Sequence, residues 1–221
     1  MNKGRLISYN TLLLVMTAGF CDTTTFISVN KLFSAHVTGN FIVFVYDVIN
    51  RVDLLTWVRL VTFPVFFLAI LAGGWAAGKV KSRLGLLRME GLLLVLVGLV
   101  SLGMRSFQVV SLDVDFMIAL LVVFAMGVQN TFGRLYSKET HGTTTTMTGN
   151  VTQMGLNLLA FVSRNKRTEE VKANLRHDAL TVGGFLCGCF AGGMVAHFIG
   201  LTGILIPGIA LLLWAGGRFL A

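Results

Sequence analysis

Apolar runs of about 20 residues, each long enough as a helix to cross roughly 30 Å of hydrocarbon, recur along this chain. They lie near 8–29, 57–78, 89–108, 115–135, 179–199 and 202–219. Inside lipid a backbone N–H or C=O finds no water, so a segment of this kind must satisfy itself as a helix. The expected fold class is therefore an all-α membrane protein. With 55% hydrophobic and 13% charged residues and a mean hydropathy of +0.79, the chain carries far less charge than a soluble domain. The runs fill its length, so residues 1–221 read as a single membrane domain without a separate soluble part. The start, Met1 to Arg5 followed by an apolar run, reads as a retained first helix, because that run has a counterpart near 114–135.

Two further candidates, 38–50 and 147–163, each begin at a Thr-Gly-Asn tripeptide, Thr38-Gly39-Asn40 and Thr148-Gly149-Asn150. If both cross, the chain has eight spans; if both dip in and return, it has six. The bias of short cytoplasmic loops toward Lys and Arg separates the two. With eight crossings and a cytoplasmic N-terminus, the loop holding Lys79, Lys81, Arg83 and Arg88 would lie outside. With six crossings it moves inside with Lys3, Arg5, Arg134, Lys138, the basic residues of 164–176 and Arg218, leaving Lys31, Arg51 and Arg105 outside and Arg59 just within the second span. Six spans with both termini cytoplasmic is the expectation, although 147–163 is long enough to leave open whether it is re-entrant or spans.

The tripeptide belongs to a longer internal repeat. Gly19 and Asp22 precede the first copy as Gly127 and Asn130 precede the second, and the run Ala72 to Gly78 matches Ala191 to His197. Three anchors in the same order indicate duplicated halves, about 8–108 and about 115–219. Three crossings per half invert the second half relative to the first. The expected architecture is two inverted three-helix repeats, each with a re-entrant or broken half-helix starting at Thr-Gly-Asn.

A helix N-terminus offers unpaired N–H groups and about half a positive charge. Two such ends facing each other near the midplane would suit an anionic or strongly dipolar solute. Thr38, Gly39, Asn40, Thr148, Gly149 and Asn150 are the candidate solute-binding residues, with Gln129 and Asn130 completing the polar lining; ordinary helix caps are the plainer alternative. Asp22 is the one carboxylate expected well inside a span, and an ionisable group there is a functional candidate by default. It is assigned proton coupling, against the alternative of a structural Asp at a helix break.

Other features carry less. His36 and His141 precede the motifs and could sense pH. Thr143 to Thr146 reads chiefly as satisfying a re-entrant loop's backbone. Gly74 and Gly78, and Gly184, Gly188 and Gly192, put small residues on one helix face for internal packing, or for a homodimer seam. Cys21, Cys187 and Cys189 read as small buried thiols, without the ligand set of a metal site. Residues 164–176 read as a solvated loop. The net charge of +8 fits topology and contact with anionic lipid, with no nucleic-acid motif. No nucleophile–base pair, phosphate loop or cofactor motif points to an enzyme.

The run Ala18-Gly19-Phe20-Cys21-Asp22, with Phe33 and Thr38-Gly39-Asn40, resembles the YoaK-like bacterial membrane proteins, domain of unknown function 1275. The resemblance implies a small multi-spanning protein of the bacterial inner membrane without an assigned substrate. The expected function is a transporter of a small polar or anionic solute, coupled to protons through Asp22, one repeat rocking against the other. The alternatives are a channel for a small solute and a non-transporting scaffold or lipid-interacting protein.

Overall fold

The computed structural model describes residues 3–50, 54–80, 82–109, 111–163 and 168–217. Arg51, Lys81, Arg164, Lys166, Arg167 and Arg218 of the topology reading lie outside the described residues. The helices are α1 (Lys3–Ser28), α2 (Gly39–Asn50), α3 (Leu54–Lys79), α4 (Leu84–Ser106), α5 (Leu112–Leu135), α6 (Thr148–Val162), α7 (Glu169–Ile199) and α8 (Leu205–Gly216). Short 3-10 turns cover Ser137–Glu139 and Gly200–Ile204, and no strand occurs among the described residues. Five segments are apolar and long enough to cross a membrane: Gly4–Ser28, Thr56–Lys79, Leu84–Ser106, Leu112–Leu135 and Glu169–Gly216, the last of which runs from α7 into α8. The chain is an all-helical, multi-pass membrane protein. Large apolar side chains such as Ile42, Phe67, Trp75, Leu159, Phe190 and Phe198 point outward, as a lipid-facing surface requires.

Local chemistry sets the helix ends. Ser111 opens α5 with its side chain accepting the Val114 N–H, and Asp113 and Asp115 in the first turn complement the helix dipole. Thr168 does the same for α7, ahead of Glu169 and Glu170. Most of the tract expected to be a loop, Glu169 to Arg176, is thereby the first two turns of a 31-residue helix; capping outweighs its polarity. Gly200, with φ +56°, turns the chain at the end of α7, and the following 3-10 turn leads α8 back along α4.

The pairing of helices crosses the two sequence halves. The most extensive contacts are α1 with α7, α4 with α8, and α3 with α5, while α2 lies on α3 and α6 on α7. The α1–α7 seam is backbone to backbone: a Cβ at Gly188 or Gly192 would fall on the main chain of Met16 or Phe20, and one at Gly184 on Leu12 and Val15. Gly74 and Gly78 have open space instead, so only the second glycine set packs internally. Gly19 and Gly127 occupy matching positions, Gly19 against the Phe185 carbonyl of α7 and Gly127 against the Phe66 carbonyl and Ala69 of α3.

One end of the bundle is pinned by polar contacts. Arg83 pairs with Glu139, Asn10 donates to the Glu139 carbonyl at 3.2 Å, Trp214 donates to Asn10 at 3.0 Å, and Arg88 donates to the Ala215 carbonyl at 2.9 Å. The first turns of α1, the α3–α4 connection, the segment after α5 and the last turn of α8 thus share that end.

Candidate functional site

The two Thr-Gly-Asn motifs fold by one rule. Asn40 sits seven residues after Phe33 and takes both its backbone groups, donating to the carbonyl at 2.8 Å and accepting the N–H at 2.9 Å. Asn150 sits seven residues after Thr143 and donates to its carbonyl at 2.7 Å. Each asparagine therefore closes the loop leading into its own helix. Asn40 is fully buried and also donates to Thr62 of α3 at 3.1 Å. From there α2 runs back along the first turns of α3, where Asp47 accepts from the buried Arg59 at 2.6 Å. Arg59 donates in addition to the Asn30 carbonyl at 2.6 Å, holding the turn in which Asn30 and Lys31 both adopt positive φ, a conformation costly for non-glycine residues. α6 likewise runs back along α7, with Asn157 donating to Asp178 at 2.5 Å. Gly142, at φ +85°, makes the turn before it, leaving no room for a Cβ beside Asn150.

Asp22 is 5% exposed and holds the loop before α2. Its Oδ1 accepts the N–H groups of Ser34 at 2.8 Å, Ala35 at 2.7 Å and His36 at 3.3 Å, and its Oδ2 lies 2.7 Å from His36 Nδ1. Three backbone donors and an imidazole surround one carboxylate, charge-assisted bonds that are worth more than neutral ones. His36, which the sequence offers as a pH sensor, is thus the direct partner of Asp22. Its mate Asn130 makes the same kind of link with less charge, donating to Thr145 Oγ1 at 2.8 Å. Gln129 is fully buried and donates to the Leu14 carbonyl at 2.9 Å and to Thr144 at 3.1 Å, while its Oε1 has no partner among the described residues. Of the threonine run, Thr143 bonds the Thr146 carbonyl within the loop.

Two cavities flank His36. One, of about 290 Å³, lies among Asp22, Phe26, Phe33, His36 and Phe185. The other, of about 220 Å³, is lined by His36 and Thr38 from the first half, Asn130 and Thr146 from the second, and the aromatic face of α3. The structure brings Thr38 and Asn130 together there. Asn40, Gln129 and Asn150 instead bond protein groups, Thr148 and Gly149 are exposed, and a Cβ at Gly39 would press on the Phe33 ring at 3.0 Å. Neither Thr148 nor Gly149 lines either cavity.

Asp22 is not alone inside the helices. Glu90 on α4 is 0% exposed, and neither carboxylate oxygen has a partner among the described residues. An isolated ionised carboxylate in such surroundings is expensive, so the group needs a proton or a counter-charge. It falls at the start of the apolar run near 89–108, whereas α4 begins at Leu84 and so carries it inside the helix. Of the thiols, Cys21 is buried and Cys189 half-buried, but Cys187 is exposed.

The model of the family described as a protein of unknown function, DUF1275, matches residues 11–217. No curated protein and no solved structure matches the chain.

Proposed function

We propose, for a chain that belongs to the DUF1275 family, a six-crossing bacterial inner-membrane transporter of a small polar or anionic solute. Its carrying observation is the cavity in which His36 and Thr38 of one half meet Asn130 and Thr146 of the other. In this reading the Thr38 hydroxyl, the Asn130 amide and the Thr146 side chain orient the solute. His36 borders both cavities, so it can pass a proton between Asp22 and the solute space. Asn40 and Asn150 act as braces that hold the two loops at the site.

Six crossings are supported by the shared end of α1, the α3–α4 connection and the Ser137–Glu139 turn; eight crossings would put the α3–α4 connection opposite the N-terminus. The last passage has the length it needs. Five 3-10 residues at about 2.0 Å and twelve α residues at about 1.5 Å rise give roughly 28 Å, near the hydrocarbon thickness. The matching Asn40 and Asn150 closures, and the matching Gly19 and Gly127 contacts, support inverted repeats whose half-helices return to the side they entered from.

A second reading draws on the side opening of the Asp22 cavity. Thr23 and Cys189 also border an apolar groove of about 570 Å³ between α1 and α7, through which an amphiphile could enter from the lipid. Proteoliposome flux and melting of purified protein, against small anions, organic acids, amino acids and short-chain amphiphiles at two pH values, test both. The transporter reading expects a solute whose saturable flux is lost in Thr38→Val with Asn130→Ala and loses its pH dependence in Asp22→Asn. Flux and ligand shifts absent for every solute, or unchanged in those variants, would sink it; a response to amphiphiles alone would select the second reading.

A further inference from the structure

Far from the Asp22 cavities, at the pinned end of the bundle, the first turns of α1, the loop before α6 and the start of α7 enclose a cavity of about 510 Å³. Arg5 and Ser8 of α1, His141 of the loop, and Arg176 and His177 of α7 line it. The His141 and His177 rings stack 3.6 Å apart at 11°. His141 is fixed on all sides. Its N–H donates to Thr11 at 2.8 Å, its carbonyl accepts from Thr181 at 3.3 Å, and its Nε2 lies 3.1 Å from Ser8 Oγ. Among the described residues, neither Arg5 nor Arg176 has a carboxylate within ion-pair distance. The nearby Asp178 already accepts from Asn157. Two guanidiniums and two stacked imidazoles therefore face one cavity with no carboxylate among its lining residues, Asp178 acting on His141 from beside it.

The geometry points to a binding site for a phosphate group in this cavity, independent of what the membrane interior carries. Guanidinium forks match phosphate oxygens in pairs. Donors arriving from three separate elements surround a tetrahedral oxyanion better than a planar carboxylate, which presents two oxygens in one plane. The stacked imidazoles repel each other when both are protonated, and a phosphate beside them offsets that repulsion. The cavity is roomy enough for a phosphate ester. The same chemistry is offered by a lipid headgroup at the membrane surface and by a free phosphate.

The sources separate in one experiment. The full chain is placed in bilayer discs of phosphatidylcholine and melted with inorganic phosphate, and separately in discs containing phosphatidic acid without added phosphate, with potassium chloride matched for ionic strength as control. At about one hundred times its Kd the right probe should raise the midpoint by roughly 5–10 °C, and chloride should not. Arg5→Gln and Arg176→Gln change exposed side chains, so both should melt like the native chain without probe and bind it at least about tenfold more weakly. Lys172→Gln, whose partner is Glu169 on the exposed face of α7, should respond as the native chain does. Stabilisation by inorganic phosphate assigns a free phosphate; stabilisation by phosphatidic acid alone assigns a headgroup. No shift with either probe, or an undiminished shift in both arginine variants, overturns the site.

Discussion

Replacing glycine by alanine should have opposite effects at two places in this one chain. At Gly188 an added Cβ would sit 2.8 Å from Met16 Cα and 2.9 Å from its carbonyl carbon, and closer still to its oxygen. Ordinary carbon contacts need about 3.5–4.0 Å. The obstacle is main chain, which cannot turn away as a side chain can, so α1 and α7 must separate locally by several tenths of an ångström. Overpacking of this kind costs about 1–3 kcal/mol, and the loss of close Cα–H···O contacts adds about 0.5–1 kcal/mol each. The better helix propensity of alanine returns about 1 kcal/mol. Gly188→Ala should therefore lose roughly 1–3 kcal/mol net, a midpoint about 2–12 °C lower at about 2–4 °C per kcal/mol. At Gly74 nothing lies within 4 Å of the new Cβ, leaving only the propensity gain, about 2–4 °C upward. Melting both variants in one detergent by tryptophan fluorescence decides it. Equal shifts of the same sign would refute the α1–α7 seam as described.

Asn40→Ala should cost about 2–4 kcal/mol, because it strands both backbone groups of half-buried Phe33 and a buried bond to Thr62, whereas Asn150→Ala loses a half-buried bond to Thr143 and a weak one to Met147 Sδ, about 1 kcal/mol; urea melts in detergent compare them. Glu90→Leu should melt at or above the native midpoint, since removing a buried carboxyl with no partner removes a desolvation cost; a large loss would mean the carboxyl is held by a bound proton donor or cation. Burial, with the neighbouring His177 adding to it and Asp178 opposing, holds the His141 imidazole below its usual range. The unfolded chain then takes up the proton first, so this contribution to stability is complete above about pH 6.5 and is lost as pH falls through the lowered folded value. His141→Phe should flatten that acid limb in melts taken without added phosphate.

Hydropathy located the long helices well because lipid imposes one demand on all of them. The run at 115–135 is α5, Leu112–Leu135, with the C-terminal end matched and the start within one turn. It failed where a helix needs no lipid: α4 starts at Leu84 and α7 at Glu169, ahead of their apolar runs, since Arg88, Glu169 and Glu170 lower hydropathy without disturbing a helix. The Thr-Gly-Asn motifs mark the starts of α2 and α6, but the work of Asn40 and Asn150 depends on residues seven positions upstream, a loop closure that has no periodic signature. The bond from His36 to Asp22 was equally hidden, because an imidazole joins a carboxylate on the previous helix only once the intervening turn at Asn30 and Lys31 is made. Glu90 carries a readable signal, a carboxylate followed directly by a long apolar run.

The bonding of the buried polar groups has a consequence for how the chain is made. Asp22 finds Ser34, Ala35 and His36; Arg59 finds Asn30 and Asp47; Asn130 finds Thr145. Each of these partners lies within the same half of the sequence, so each costly group can be satisfied soon after it leaves the ribosome. What α1 must wait for is α7, synthesised long after it, and the face it holds in reserve is one of Met16, Phe20 and their main chain with the hydroxyl of Thr24, which later donates to the Gly192 carbonyl. For Asp22, Arg59 and Asn130 the order of synthesis thus matches the order of need, with these groups shielded first and the seam between α1 and α7 closed last.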